Sequence, residues 1–141
     1  MKRPISFWQK IGFVFTVGLG VLFHFLCEWS NESVFVAAFS GVNESTWEHM
    51  KLFFFPTLLY SLYMNKKLKN EYPCVTSSLL FGILFGTLVI PVIYYTYSGI
   101  LGYHTTVLDI ATFAVSVLLA FCFVYKLTIS CTVADYLEQL K

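Results

Sequence analysis

Charge is what this sequence has least of. Only 12% of its 141 residues are Asp, Glu, Lys or Arg, against about 25% in an ordinary soluble domain. Such a chain could not cover a water-facing surface. Its formal net charge is +1, so no long-range field draws it to nucleic acid, and no nucleic-acid partner is expected. The four cysteines, Cys27, Cys74, Cys122 and Cys131, have no CxxC spacing. They read as small buried hydrophobes rather than disulfide partners or metal ligands. There is no G-x-S-x-G elbow, no phosphate-binding loop and no H-E-x-x-H pair, so the familiar hydrolase, nucleotide and zinc-protease motifs are missing.

What is present is apolar: 57% hydrophobic and 19% aromatic residues, with a mean hydropathy of +0.71. Four runs come close to the roughly 20 residues that cross a hydrocarbon core, at about residues 7–27, 44–64, 76–97 and 105–126. The expected fold is an all-α integral membrane protein, a four-transmembrane-helix bundle forming a single domain over residues 1–141. A short interfacial helix is expected at about 32–40, between spans one and two, and a cytoplasmic C-terminal helix over the tail, 127–141. There Val133, Leu137 and Leu140 share a face. The N-terminus has the basic-then-apolar order of a signal peptide. Its 17-residue run, "IGFVFTVGLGVLFHFLC", exceeds an h-region of about 7–15 residues, so it reads as a retained first helix.

Eight of the nine basic residues fall on one side of this layout: Lys2, Arg3, Lys10, Lys66, Lys67, Lys69, Lys126 and Lys141. The positive-inside rule makes that side, and both termini, cytoplasmic. Aromatic belts agree, with Trp29, Trp47, Tyr94, Tyr95, Tyr97 and Tyr103 towards the outer interface and Trp8, Tyr60, Tyr63, Tyr72 and Tyr125 towards the inner one. "NES" occurs twice, at 31–33 and 43–45, and marks two successive helix starts. Pro56 and Pro91 are expected to bend their spans. Gly82 and Gly86 form a GxxxG pair that would permit a homodimer.

All three histidines lie near outer ends of different spans: His24 late in the first, His49 early in the second, His104 opening the fourth. Five of the eight acids, Glu28, Glu32, Glu44, Glu48 and Asp109, share that half, as does Lys51. His24 and Glu28 are four apart and share a helix face. Glu44, Glu48 and Lys51 form one stripe, and Thr105, Asp109, Thr112 and Ser116 another. A charge at the bilayer centre costs about 2.5–3.5 kcal/mol even on the insertion scale, so these stripes should turn inward, with Lys51 paired to Glu48 or Asp109.

Each residue also has a plain structural role open to it. Ser45-x-x-Glu48 is a capping-box signature, and Glu44 behind an Asn43 cap would favour the positive helix end. Glu32 fits a solvated loop. His24 and Glu28 could be a simple interfacial pair, His49 could reach for the headgroups, and His104 could be a loop residue after "SGILGY". Asp109 lies deepest and has no capping role.

The stretches "HFLCEWS", "VNESTWEHMKLFFFP" and "YSGILGYHTTVLDI" resemble a small, uncharacterised bacterial family of four-span membrane proteins, with the NESxWEHxK motif as the most specific part. The resemblance implies a multi-pass protein of the bacterial cytoplasmic membrane and carries no activity with it.

Three functions compete. The leading expectation is a polar pocket open to the outer leaflet that binds a metal ion or a polar lipid headgroup. It could catalyse metal-dependent hydrolysis or group transfer. A divalent transition metal such as zinc would be held by His24, His49, His104 and Glu28. Glu48, Asp109 and Lys51 would be the catalytic groups, with Asn43, Glu44 and Tyr95 completing the rim. The alternatives are a small proton-coupled transporter and a non-catalytic accessory membrane subunit. Membrane lipids are the expected partners.

Overall fold

A computed structural model describes residues 4–43 and 45–139, with side chains up to Cys131 and at Glu138. Glu44, Lys2, Arg3, Leu140 and Lys141 lie outside the described residues, as do the side chains of Val133 and Leu137. Among the described residues the chain is all helical: α1 (Ile5–Trp29), α2 (Val34–Ala37), α3 (Thr46–Leu68), α4 (Val75–Leu101) and α5 (Thr106–Gln139).

The boundaries follow local chemistry. Pro4, held extended, precedes α1, where its missing N–H costs no helical bond. After Trp29 the chain turns through Asn31 and Glu32, both left-handed at φ 53° and 57°. Ser45 caps α3, its hydroxyl accepting from Glu48 N at 3.4 Å, as the capping-box signature predicts. Gly102, at φ 77°, ends α4 and donates its N–H to Ser98 O at 2.8 Å. It is the residue type that adopts this conformation without strain.

Among the described residues three helices are long and apolar enough to cross a membrane: Ile5–Trp29, Val75–Leu101 and Thr106–Cys131. The second expected span, α3, has 23 residues but carries Glu48, Lys51, Lys66 and Lys67, and these polar ends lower its hydropathy. The expected tail helix is not separate. α5 runs on for 34 residues to Gln139, because neither Gly nor Pro interrupts the sequence after Thr106.

α3 packs against α1 and α4, and α5 packs against α4 and α1. Glycines set the registers. A side chain on Gly12 would strike Tyr60 and Phe121, and one on Gly20 would meet Phe113 and the Leu52 carbonyl, so α1 and α3 run antiparallel. Gly82 and Gly86, the pair that would permit a homodimer, allow a close helix approach within the fold. Their faces are filled by Val124 and by Phe53 and Ala120. The core contains Phe53, Met64, Val75 and Val117 at 0% exposure. Thr16, Ser116 and Thr128 are equally buried, while Val14, Leu80, Leu88, Val92 and Ile110 face outward.

The cysteines depart from expectation. Cys74, at the start of α4, is disulfide-bonded to Cys131 of α5 with Cα atoms 6.1 Å apart, while Cys27 and Cys122 remain thiols. The sequence separation of 57 hides the pair from spacing arguments, because only the return of α5 beside α4 brings the sulfurs together.

Candidate functional site

Three of the singled-out side chains meet. A half-open cavity of about 240 Å³ lies between α1, α3 and α5, walled by Gly20, Leu52 and Phe113 and edged by His24, His49 and Asp109. The His24 and His49 ring centroids are 6.4 Å apart. Asp109 is 4% exposed, in the first turn of α5, where the helix dipole favours a carboxylate.

Both Asp109 oxygens have partners. Tyr97 donates its hydroxyl to Oδ1, and His104 Nδ1 lies 3.3 Å from Oδ2. A carboxylate only accepts, so Nδ1 is the protonated nitrogen of His104 in that contact. The same logic fixes His49. Its Nδ1 lies 3.0 Å from the Ser45 carbonyl, so Nδ1 carries the proton in that contact.

Leu52 adds a backbone acceptor beside these side chains, the carbonyl that the sequence expects Pro56 to free one turn earlier. Pro56 lies inside α3 and has no N–H, so it frees the carbonyl four residues earlier, which is that of Leu52. Leu52 O stands 3.2 Å from where a Cβ on Gly20 would sit, and both residues wall the cavity. The proline offset locates the carbonyl in the sequence, but the facing glycine needs the α1–α3 register.

Glu48 and Lys51 serve a different structure. They pair at 2.8 Å. Lys51 Nζ also donates to Ala37 O at 2.9 Å, and Glu48 Oε2 accepts from Val42 N at 3.0 Å. These bonds tie the segment between α1 and α3 onto α3. Of the two partners expected for Lys51, the structure selects Glu48.

Glu28 and Asn43, both exposed, border a second, more polar cavity of about 440 Å³ beside α2, which also reaches His24. Tyr95 is 65% exposed and is not among the residues lining the cavity. Among the described residues no group of three or more His, Cys, Asp or Glu could hold a metal ion. The four expected ligands fall in three places: His24 and His49 at the cavity, His104 on the other oxygen of Asp109, and Glu28 in the neighbouring space.

No curated protein and no solved structure matches the chain. A family model does match, over residues 2–136, and the chain belongs to the family it describes, the family of unknown function DUF6512.

Proposed function

We propose that this is a four-span protein of the bacterial cytoplasmic membrane, both ends inside, whose outer-half cavity binds the polar head of an amphiphile. Three helices have the length and hydropathy to span. α3 lies antiparallel along α1, so it crosses wherever α1 does, at about 34 Å of helix for 23 residues. Apolar side chains outside and hydroxyls inside suit lipid better than water. Lys10, Lys66, Lys67, Lys69 and Lys126 then mark the cytoplasmic end.

One observation carries the functional reading: an ionisable side chain, Asp109, at 4% exposure, on the edge of a largely apolar, half-open cavity that His24 and His49 also edge. Intramembrane ionisable groups mark ligand sites or relays, and an apolar cavity with a few convergent polar groups is the usual form of a small-molecule site. Residues spread over several places favour an organic head over a metal ion here.

Mass spectrometry of amphiphiles retained by protein purified in lipid nanodiscs tests this. Ile110 lines the cavity and is 62% exposed, so Ile110→Trp fills the space without crowding the core. Loss of a specifically retained species in that variant is expected. Equal retention by the variant would sink the reading.

A proton-coupled carrier is the second reading, favoured by polar groups on α1 and α3, namely Gln9, Thr16, Thr57 and Ser61, that are buried without a partner among the described residues. A pH-gradient-dependent flux in liposomes, abolished by Asp109→Asn, would support it.

A further inference from the structure

His104 stands between the buried Asp109 carboxyl and water. Thr105 caps α5, its hydroxyl accepting from Leu108 N at 3.3 Å and its carbonyl from Asp109 N at 2.9 Å. His104 is the residue just before that cap. Its ring therefore folds back over the first turn of α5 and sets Nδ1 3.3 Å from Asp109 Oδ2. The His104 side chain is nonetheless 55% exposed, and Asp109 is the hydrogen-bond partner of its ring among the described residues. An imidazole placed so can take a proton at one nitrogen and release one at the other.

Other approaches to Asp109 are poorer. The Tyr97 hydroxyl occupies Oδ1. The cavity on the carboxyl's other side is walled by Gly20, Phe25, Leu52, Ile110 and Phe113, which carry no exchangeable side-chain proton. The titratable groups that face Asp109 from its neighbours are His24 on α1, His49 on α3, and Tyr94 and Tyr97 on α4. Lys51 is committed to Glu48 at 2.8 Å. Among the described residues His104 is the histidine in hydrogen-bond contact with the carboxylate.

We propose that His104 is the proton relay of Asp109, the group through which the buried carboxyl gains and loses its proton. A proton from outer water adds at Nε2, and the proton on Nδ1 passes to Oδ2. The products are a neutral imidazole with its hydrogen on Nε2 and a neutral carboxyl. The pair has gained one proton and lost its negative charge, and the reverse steps restore it. Tyr97 is a positioning residue, because its bond to Oδ1 leaves Oδ2 turned to His104. The relay stands whichever ligand the cavity takes, and it is the entry step that the carrier reading needs.

The test follows Asp109 itself. Asp135 is the other aspartate of the chain, so carbon-13 aspartate in full-length Asp135→Asn protein leaves Asp109 as the labelled carboxyl. Its protonated band is followed by time-resolved infrared spectroscopy after a pH jump, with the protein in phosphatidylcholine nanodiscs. A band that does not change between about pH 5 and 8, where histidine titrates, overturns the proposal without any variant at the site. His104→Asn keeps an amide N–H for Oδ2 and removes the ionisable ring at an exposed position. It should slow protonation at least about a hundredfold, the lower end of what a positioned acid–base group contributes. Imidazole added to the buffer should restore the rate, which it could not do for a merely structural histidine. An unchanged rate in His104→Asn, slowing that imidazole does not relieve, or slowing confined to His49→Gln overturns the assignment. None of these outcomes involves a ligand, so the amphiphile reading stands or falls on its own experiment.

Discussion

Lys51 Nζ lies 2.8 Å from Glu48 Oε2, one turn back on α3, and the pair is joined to the chain beyond α1 on both sides. Lys51 reaches Ala37 O and Glu48 accepts from Val42 N. Gly41 N in turn donates to Phe23 O at 3.3 Å, and Gly41 sits 3.4 Å, measured from its would-be Cβ, from His24 Nδ1. The ion pair therefore holds the segment that packs over His24.

Lys51→Met should loosen that segment and lower stability by about 3 kcal/mol, the cost of stranding one partner of a poorly solvated pair. Glu48 would lose its cation in a place where its side chain is 10% exposed. Glu48→Gln combined with Lys51→Met should recover most of the loss, since no unpaired charge remains. Limited proteolysis between residues 30 and 45, with thermal unfolding in detergent, reads both effects. A double variant as unstable as the single one would contradict this role.

Gly86→Val should destabilise by about 1–3 kcal/mol through overpacking, because a Cβ there would stand 2.8 Å from that of Ala120 and collide with Phe53. Unfolding of the isolated protein is the measurement. A variant that folds as well as wild type, yet changes oligomeric state, would return the glycine pair to an intermolecular face.

Thiol counting checks the covalent link. Maleimide should label Cys27, which is buried, and Cys122, which faces out from a spanning helix, only after denaturation. Denatured but unreduced protein should thus show two labelled thiols, the free ones, and reduction should add Cys74 and Cys131. Closing a separation of 57 residues is worth up to about 4 kcal/mol in the chain-entropy account, so Cys74→Ser should lower the unfolding midpoint. Cys74 lies near Lys66, Lys67 and Lys69 in sequence and Cys131 near Lys126, at the end the charge bias makes cytoplasmic, where disulfides are uncommon. Its redox state in intact cells therefore also reports on the orientation.

Much of this arrangement is legible in the sequence because hydropathy and caps are local. The expected 7–27 corresponds to Ile5–Trp29, and the expected 76–97 to Val75–Leu101. Stripes at helical spacing bring His24, His49 and Asp109 to one cavity. Relationships between helices are not legible. Tyr97 reaches Asp109 across the α4–α5 turn, 12 residues away, and in sequence it reads only as part of an aromatic belt. The inward aim of Gly82 and the meeting of Gly20 with the Leu52 carbonyl depend on crossing registers that no single segment encodes. Glu48 and Lys51 look catalytic in sequence because charge near a membrane is conspicuous; in the structure they pair with each other and with the backbone of Val42 and Ala37.

The buried polar atoms offer the last prediction. Gln9 Nε2 and Oε1, Thr16 Oγ1, Thr57 Oγ1 and Ser61 Oγ are buried without a hydrogen-bond partner among the described residues. An unsatisfied buried hydroxyl costs about 1–3 kcal/mol, and an apolar group of the same shape removes that cost. Thr16 and Thr57 lie on facing helices close to one depth, because Gly20 meets Leu52 above them and Gly12 meets Tyr60 below. If the interior stays dry, Thr16→Val and Thr57→Val should each be neutral or stabilising by about 1 kcal/mol in thermal unfolding. Thr57 and Ser61 border a gap too small to admit water, which favours that outcome. A loss of stability in both variants, with slower proton flux in liposomes, would mean that the hydroxyls hold internal water, and it would promote the carrier reading over the binding one.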